Sequence, residues 1–425
     1  MRFPGNRLSK HYFPVTPKPA RAPDGDDHVG HGWYIVGLDE VIVDVEVHGP
    51  AELARELGLS PGESIQLSPP QYAALVQGLE AHHLKPSYVA GGTVANTLNN
   101  YTHLSGEAAV LLGAIQSSIR PGEPAFAYVA QTAKAVDLGH LVPIDGPTGT
   151  AITFISPDGD RSFGVAPGVA GDYPAAAVPA EVVQKASVAL TCLYSLANPA
   201  RPIFDAALRV MALAKAADVP VAFGLGTANL VRAKRDLVWE VLAKYATIAA
   251  MNALEAEALT GERDVLLAAQ KILDVVDLVI ITEGPRGLTM AGYTDDSVKR
   301  QTADEVRSKS IPEYNRWEFS RLLRRRDCAQ PAKVYSHAHP YMGGPQHLKS
   351  TSGAGDAALA ALLHDIAANS YHRKQLPDSE KHQAPLRFLT YSSLSRNTQY
   401  GNRVAYEVLR LNSPRLEGPV GHDEE

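Results

Sequence analysis

Short apolar segments alternate with longer amphipathic segments through the second half of the chain. After about residue 186 the β-branched segments predict strands, and the segments between them have the 3.6-residue periodicity of helices. The predicted strands are 188–193, 221–224, 246–251 and 278–282, with helices at about 203–217, 229–245, 253–259 and 266–276. This alternation indicates a parallel sheet that is covered on both faces, with a ligand site at the carboxyl ends of its strands.

The first part of the chain has a different pattern. Residues 34–48, 108–116 and 150–166 contain β-branched, partly alternating segments, and Pro157-Asp-Gly-Asp160 is typical of a hairpin turn. Hairpins do not fit inside a parallel sheet, so we expect these segments to form a small β-rich lid. The first 30 residues are rich in Pro, Gly, Asp and His and predict an extended arm, which leaves 31–425 as the folded domain.

Residues 294–348 interrupt the alternation and are polar. We predict that they form an insertion with a short helix at about 317–326. The arginine run from Arg324 to Arg326 is interpreted as a solvated helix face in preference to a ligand contact. A last long helix is predicted at about 388–411, followed by a polar tail.

The composition narrows the classes of partner. The 425 residues are 45% hydrophobic and 20% charged, with a formal net charge of -6, so nothing global attracts nucleic acid or anionic lipid. The N-terminus lacks a signal-peptide pattern, and no segment approaches the ~18 consecutive apolar residues of a membrane-spanning helix. We therefore expect a cytoplasmic protein with a small-molecule partner. Cys192 and Cys328 suggest neither a disulfide framework nor a zinc site.

A glycine-rich segment near the C-terminus carries candidate chemistry. The sequence Thr351-Ser-Gly-Ala-Gly-Asp356 precedes an Ala- and Leu-rich segment that predicts a buried helix. Small residues allow consecutive backbone amides to approach an anion, and the positive end of the helix dipole adds to the attraction. We therefore expect a phosphate cradle in which Asp356 accepts a proton from an attacking hydroxyl group. Taken alone, the motif fits an ordinary loop with a capping Asp equally well.

Candidate binding residues also occur nearer the N-terminus. Asp44 lies within an apolar strand, where an unpaired buried carboxylate is unfavourable, and Gly91-Gly92 precede a helical segment that contains Asn96. Asp44 and Asn96 together can bind vicinal hydroxyl groups. The alternative for each motif alone is a pair of turn glycines and a cap asparagine.

Two further motifs follow predicted strands. Asn252 and Glu255 either form a capping box or hold Mg-bound waters beside phosphates, because Mg²⁺ keeps several waters. Thr282-Glu-Gly284-Pro-Arg-Gly287 either brings the backbone close to a nucleotide or forms a simple β-turn.

The order of these motifs resembles that of the ribokinase-like (phosphofructokinase-B type) carbohydrate kinase family from end to end. Segments including 335–345 and 363–373 are most similar to bacterial members that act on inosine and guanosine. The resemblance implies an α/β fold: a ribokinase-like three-layer sandwich with a mostly parallel central sheet and a small β-rich lid. It also implies ATP-dependent phosphorylation of the 5'-hydroxyl of inosine and guanosine, with Mg²⁺ as cofactor.

The resemblance assigns a role to each candidate residue. Asp356 would be the catalytic base, and Gly353, Ala354 and Gly355 would form the anion hole. The nucleoside would be bound by Asp44, Gly91, Gly92, Asn96 and Arg161. ATP would be bound by Thr282, Gly284, Gly287 and Asn402, and Mg²⁺ through water by Asn252 and Glu255. For Arg161 an exposed hairpin position, and for Asn402 a solvated helix position, are the alternatives.

One position departs from the family pattern. Members often have Asp-Thr before Gly-Ala-Gly-Asp, whereas Ser350-Thr351 stands here, so activation by K⁺ is left open. The sequence also leaves open a kinase for another nucleoside or a simple sugar, a non-catalytic nucleotide-binding regulator, and pairing of two copies as a homodimer. The presence of Asp356 argues against the regulator, because a protein that only binds has no need of a base there.

Overall fold

The computed structural model describes residues 33–56, 59, 64–157, 161–303, 308–311, 314–340, 348–379, 382 and 386–417. The arm predicted for 1–30 and most of the turn at 157–160 lie outside these residues.

The strands of the described chain form a large and a small sheet. They are β1 (Ile35–Leu38), β2 (Ile42–His48), β3 (Ser64–Gln66), β4 (Ser87–Ala90), β5 (Ala109–Gln116), β6 (Val136–Asp137), β7 (Leu141–Ile144), β8 (Gly149–Ile155), β9 (Arg161–Ala166), β10 (Val188–Cys192), β11 (Val221–Gly224), β12 (Ile248–Asn252), β13 (Leu278–Thr282), β14 (Leu288–Asp295), β15 (Arg321–Leu323), β16 (Pro331–Ala338) and β17 (Phe388–Ser393).

The α-helices lie between these strands and after the last of them. They are α1 (Ala51–Glu56), α2 (Pro69–Ala81), α3 (Thr93–Ser105), α4 (Pro124–Ala130), α5 (Ala180–Lys185), α6 (Pro202–Ala216), α7 (Ala228–Ala233), α8 (Arg235–Lys244), α9 (Ala253–Thr260), α10 (Val265–Ile272), α11 (Ala354–Gln375) and α12 (Leu394–Leu409).

The centre of the large sheet is parallel. Its strand order is β17-β15-β14-β13-β12-β11-β10-β1-β5-β6, with β16 also paired to β14 and β7 to β5. The pairs from β13 to β5 all run parallel, while β14 and its neighbours are antiparallel. The strands predicted from the alternation, β10 to β13, are therefore neighbours whose carboxyl ends meet at one edge.

Successive residues of the central strands enter two different hydrophobic cores. Ala222 and Ile280 pack on one face with α3 and α11, whereas Phe223 and Ile281 pack on the other face with α6 and α8 to α10. Burial on both faces explains why these strands are continuously apolar rather than alternating. The predicted parallel sheet with helices on both faces is confirmed.

The small sheet has the order β3-β9-β8-β2-β4. Along β2 the side chains alternate: Val43, Val45 and Val47 are buried in the core that contains residues of α1 and α2, and Asp44 lies on the opposite, less buried face. The strand therefore carries two carboxylates, Asp44 and the more exposed Glu46, on the face opposite its buried valines.

Two segments lie elsewhere than predicted. Residues 108–116, expected in the lid, form β5 of the large sheet, and Ile35–Leu38 forms its neighbour β1. The apolar sequence of β5 is buried along almost its whole length, which is typical of a central parallel strand and not of a one-faced hairpin.

The segment 294–348 is also different from the prediction. It extends the large sheet, because β15 and β16 both pair with β14. The helix predicted at 317–326 is wrong: Arg321–Leu323 is a strand whose two leucines are fully buried, and Arg325–Asp327 is a 3-10 turn. Pairing with β14 and β17 outweighs the local pattern here, and the same pairing delays the start of the last helix from 388 to Leu394.

None of the helices in the described part of the chain is long and apolar enough to cross a membrane.

Candidate active site

The glycine-rich segment for which we predicted an anion cradle lies at the N-terminus of α11. Gly353 has a φ of 78° and precedes the first helical residue, Ala354. The first helical bond found here runs from the Ala357 amide to the Gly353 carbonyl, so the amides of residues 354–356 precede any intrahelical acceptor. A Cβ on Gly353 would lie 2.7 Å from Pro414 Cα, so glycine is required both by the backbone conformation and by this close approach.

Asp356 lies in the first turn of α11 and lines a cavity that also contains Ala354 and Gly355. The Asn96 amide donates a hydrogen bond to its Oδ2 at 3.3 Å. Burial, with added repulsion from Glu255 and Asp44, raises the pKa of Asp356 to about 7, although Asn96 and Arg415 act in the opposite direction. A carboxylate with a pKa near neutrality is suited to accept a proton during turnover.

Asp44, Gly91, Gly92 and Asn96 are brought together beside Asp356. A Cβ on Gly91 would lie 2.7 Å from Asp44 Oδ2, so the missing side chain makes room for the carboxylate. Burial raises the pKa of Asp44 to about 6, and the positive charge of Arg415 opposes this effect. The four residues therefore lie together near Asp356. That they bind hydroxyl groups stays a prediction.

Asp39 was not predicted as a site residue, and its position explains why residue 92 is a glycine. Gly92 precedes α3 with a φ of 89°, and its side-chain position is filled by Asp39, whose Oδ2 would be 2.6 Å from an added Cβ. The same Oδ2 accepts a hydrogen bond from the Ala95 amide at 2.9 Å. Asp39, the residue after β1, therefore caps α3 in place of the side chain that Gly92 lacks.

Arg415 was also missed, because it lies in the segment interpreted as a polar tail. Its side chain is buried and donates three hydrogen bonds of 2.9 Å: Nε to Asn96 Oδ1, Nη1 to Thr132 Oγ1 and Nη2 to the Gly91 carbonyl. The flanking residues are held by Asn100, which donates to the Pro414 carbonyl and accepts from the Leu416 amide. The tail therefore supplies a buried positive charge to a site rich in carboxylates.

Asn252 and Glu255 form the capping box of α9 and line the cavity beside Asp356 as well. Asn252 Nδ2 and the Asn252 amide both donate to the Glu255 carboxylate, at 2.5 and 3.0 Å. Burial raises the pKa of Glu255 to about 7. The capping box is therefore present, and the same two side chains also line the cavity, as the magnesium interpretation requires.

The cavity next to the cradle has a volume of about 860 Å³ and is large enough for a nucleotide. The predicted ATP-binding residues all contribute to its wall: Thr282, Gly284, Gly287 and Asn402. Gly287 has a φ of 105° and lies against the Ala338 carbonyl, where no side chain fits. Asn402 faces the cavity from α12 and donates to the His339 carbonyl at 2.9 Å.

Arg161 is the one predicted residue whose side chain lies outside the described part of the structure. Its backbone begins β9 and pairs with Ile155. Its contact with a nucleoside stays a prediction.

The mostly parallel sheet, the glycine-rich start of α11 and the carboxylate of Asp356 beside it are those of a kinase with the ribokinase-like fold. Residues 62–309 match the family described as pfkB family carbohydrate kinase. The chain is 44% identical over 423 residues to the guanosine-inosine kinase of Escherichia coli strain K12, covering 98% of this chain and 96% of that one. The chain therefore belongs to the pfkB family of carbohydrate kinases, and it is a phosphotransferase that acts on a hydroxyl group.

Solved structures confirm the fold. The adenosine kinase from Sinorhizobium meliloti superposes with a TM-score of 0.64 at 18% identity, covering 91% of this chain and 96% of that chain. A probable sugar kinase from Rhizobium etli has a TM-score of 0.63 at 16% identity with the same coverage.

Proposed function

We propose that this chain transfers the γ-phosphate of ATP to the 5'-hydroxyl of inosine and guanosine, giving IMP and GMP in purine nucleoside salvage. The observation that carries the proposal is the 44% identity to a guanosine-inosine kinase over 98% of the chain. A reaction that consumes ATP fits the cytoplasm, where we expect the enzyme to work.

The position of Asp356 supports this reaction. Asp356 lies between the cavity of about 860 Å³ and the cluster of Asp44 and Asn96. In the proposed step the ribose hydroxyls are bound by Asp44 and Asn96, and the 5'-hydroxyl gives its proton to the Asp356 carboxylate as its oxygen attacks the γ-phosphorus. The bond from that phosphorus to the β,γ-bridging oxygen breaks, and ADP leaves with the bonding electrons. The backbone amides of Gly353, Ala354 and Gly355 stabilise the charge that develops on the transferred group.

Glu255 and Asn252 fit Mg²⁺ as water-mediated ligands. Both offer hard oxygen atoms at the wall of the same cavity, which is the donor type that Mg²⁺ prefers. The described residues contain no cluster of three or more His, Cys, Asp or Glu side chains arranged to hold a metal ion. Because Mg²⁺ keeps several waters and uses few protein ligands, water and phosphate oxygens would supply most of its ligands, and the ion would neutralise negative charge on the phosphates.

A phosphorylation screen tests the proposal. The purified protein is given MgATP with inosine, guanosine, adenosine, ribose or fructose, and the nucleotide or sugar phosphate formed is quantified. Inosine and guanosine should have the highest kcat/KM. Asp356→Asn should lower kcat by about two to four orders of magnitude, the usual contribution of a positioned base, because the amide keeps the shape but cannot accept the proton.

Two results would contradict the proposal. A higher kcat/KM for adenosine or for a sugar would change the substrate. A variant that retains more than about a tenth of the wild-type kcat would remove Asp356 from the proton-transfer step.

A further inference from the structure

A second cavity lies at the opposite end of the large sheet from the active site. Its volume is about 490 Å³, and its wall includes Ser187 before β10, Pro220 before β11 and residues of the C-terminal part of α11. The active site lies at the carboxyl ends of the same strands. Arg373 lies 17 residues after Asp356 in α11, which corresponds to a separation of about 26 Å along the helix.

The wall of this second cavity is basic. Five of its side chains are basic and two are acidic. The basic residues are Lys185, Arg324, Arg373, Lys374 and Arg387, and the acidic ones are Asp218 and Asp327. The lining therefore has an excess of positive charge although the whole chain has a net charge of -6.

One carboxylate, that of Asp218, pairs with two arginines of this wall and with one arginine beside it. Asp218 pairs with Arg324 at 2.5 Å, with Arg387 at 3.5 Å and with Arg326. It follows α6 with a φ of 60°, a left-handed conformation in which glycine is the usual residue. An aspartate here keeps a carboxylate in place at a conformational cost. Asp327 also pairs with Arg326, at 3.8 Å, so the excess of positive charge in the wall lies with the basic residues away from these two carboxylates.

Arg373 is in a still less balanced environment. Its guanidinium donates to the Phe388 carbonyl at 2.5 Å. Burial, together with the positive charges of Arg387 and Arg321, lowers the pKa of Arg373 to about 10. Repulsion among these like charges destabilises the ligand-free protein. An anion bound among them would remove that repulsion.

We propose that this cavity is a binding site for a small phosphate ester of about nucleotide size. Its volume lies within the range of small-molecule sites. Guanidinium groups bind phosphate oxygens in pairs, and a phosphate monoester carries more negative charge than a carboxylate. Arg373 and Arg387 are the proposed phosphate ligands, because Arg373 donates to a carbonyl and Arg387 lies 3.5 Å from Asp218, farther than Arg324 at 2.5 Å.

Amide hydrogen exchange tests this site directly. GMP and, separately, inorganic phosphate are added to the full-length protein, and exchange is followed at residues 366–375 and 387–389. GMP should slow exchange there, and the double variant Arg373→Gln/Arg387→Gln should weaken this protection at least tenfold in GMP concentration. The matched control is Arg263→Gln, which removes an exposed arginine paired with Glu257 far from the cavity. The control should leave the protection unchanged.

Three outcomes would overturn the proposal: no slowing with GMP, equal slowing in the double variant, or equal slowing by inorganic phosphate at the same concentration. The exchange signal is local to the second cavity. It therefore does not depend on whether the enzyme phosphorylates inosine and guanosine.

Discussion

At the residue scale, Arg415 joins parts of the chain that are remote in sequence. It binds the Asn96 side chain and the Gly91 carbonyl, which lie 319 and 324 positions earlier. Its positive charge also opposes the raised pKa values of Asp44 and Asp356. The residue therefore acts on the proposed base and on both proposed ribose ligands without being a proton acceptor itself.

Replacing Arg415 with Met should lower kcat/KM for the nucleoside by about a hundredfold, because a charged hydrogen-bonding group lost from a buried site costs on the order of 2 to 3 kcal/mol. Arg415→Lys keeps the charge but not the three-way fork, and should fall between the wild type and Arg415→Met. Steady-state kinetics with the nucleoside varied and then with ATP varied will separate the two sites. A loss of Tm with unchanged kcat/KM would mean that Arg415 only stabilises the fold.

The pKa of Asp356 predicts the pH dependence of turnover. A base must be deprotonated, and with a pKa of about 7 the active fraction rises about tenfold between pH 6 and pH 8. kcat should rise with pH through neutrality and then level off. The measurement is kcat at saturating substrates from pH 5.5 to 9, and a profile that is flat across this range would contradict the assignment.

Sequence patterns identify some of these residues and not others. Asp356, Asp44 and Asn96 were predictable because each stands in or next to a glycine-containing motif or interrupts an apolar strand. Asp39 and Arg415 carry no such local signal. Their roles depend on contacts across the fold, between the residue after β1 and α3 and between the tail and α3.

At the scale of elements, the small sheet is the part that we expect to move. β2 carries Asp44, and its parallel neighbour β8 pairs Ala151 with Asp44. Helices α1 and α2 cover the other face of this sheet, so a bound nucleoside would contact it through the Asp44 face.

Nucleoside binding should therefore slow amide exchange at residues 150–155 and 161–166. A non-hydrolysable ATP analogue alone should change little there, because its cavity is formed by other elements. Closure of a lid excludes water and limits hydrolysis of ATP. If inosine leaves these strands unchanged while 282–287 responds, the small sheet is scaffold and not a lid.

Strands were predicted correctly where they are buried on both faces. They were missed where a strand forms only through pairing with strands that are distant in sequence. β10 to β13 were predictable because a strand buried on both faces is continuously apolar. β15 was not, since three residues are too short for a pattern and the strand exists through its pairing with β14 and β17.

At the scale of the whole molecule, the buried carboxylates of the site lower the stability of the folded protein at neutral and higher pH. Five carboxylates in or beside it have folded pKa values of about 6 to 7, above their ordinary values of 3.8 and 4.5: Asp39, Glu40, Asp44, Glu255 and Asp356. Burial is the main cause in each. Such groups hold protons in the folded protein that the unfolded chain has already lost, so they stabilise the fold at low pH and cease to do so as pH rises through about 7.

The protein without ligands should therefore have a higher Tm at pH 5.5 than at pH 8, by roughly a few degrees. Two histidines with lowered pKa values, His103 and His364, act in the opposite direction but are outnumbered. Calorimetry at the two pH values measures the difference. Asp39→Asn keeps an oxygen for the Ala95 amide and should reduce the difference, and a Tm that rises with pH would contradict this account.

The contact between the tail and α3 also sets an order of events during synthesis. Asn96 leaves the ribosome 319 residues ahead of Arg415, which is roughly 15 to 60 s at the usual rates of translation. In that interval the parallel strands can pair with near neighbours, whereas the guanidinium that neutralises the carboxylates has not yet been made. The site is thus completed late, so a nascent chain whose body is largely folded still lacks the positive charge that its buried carboxylates face.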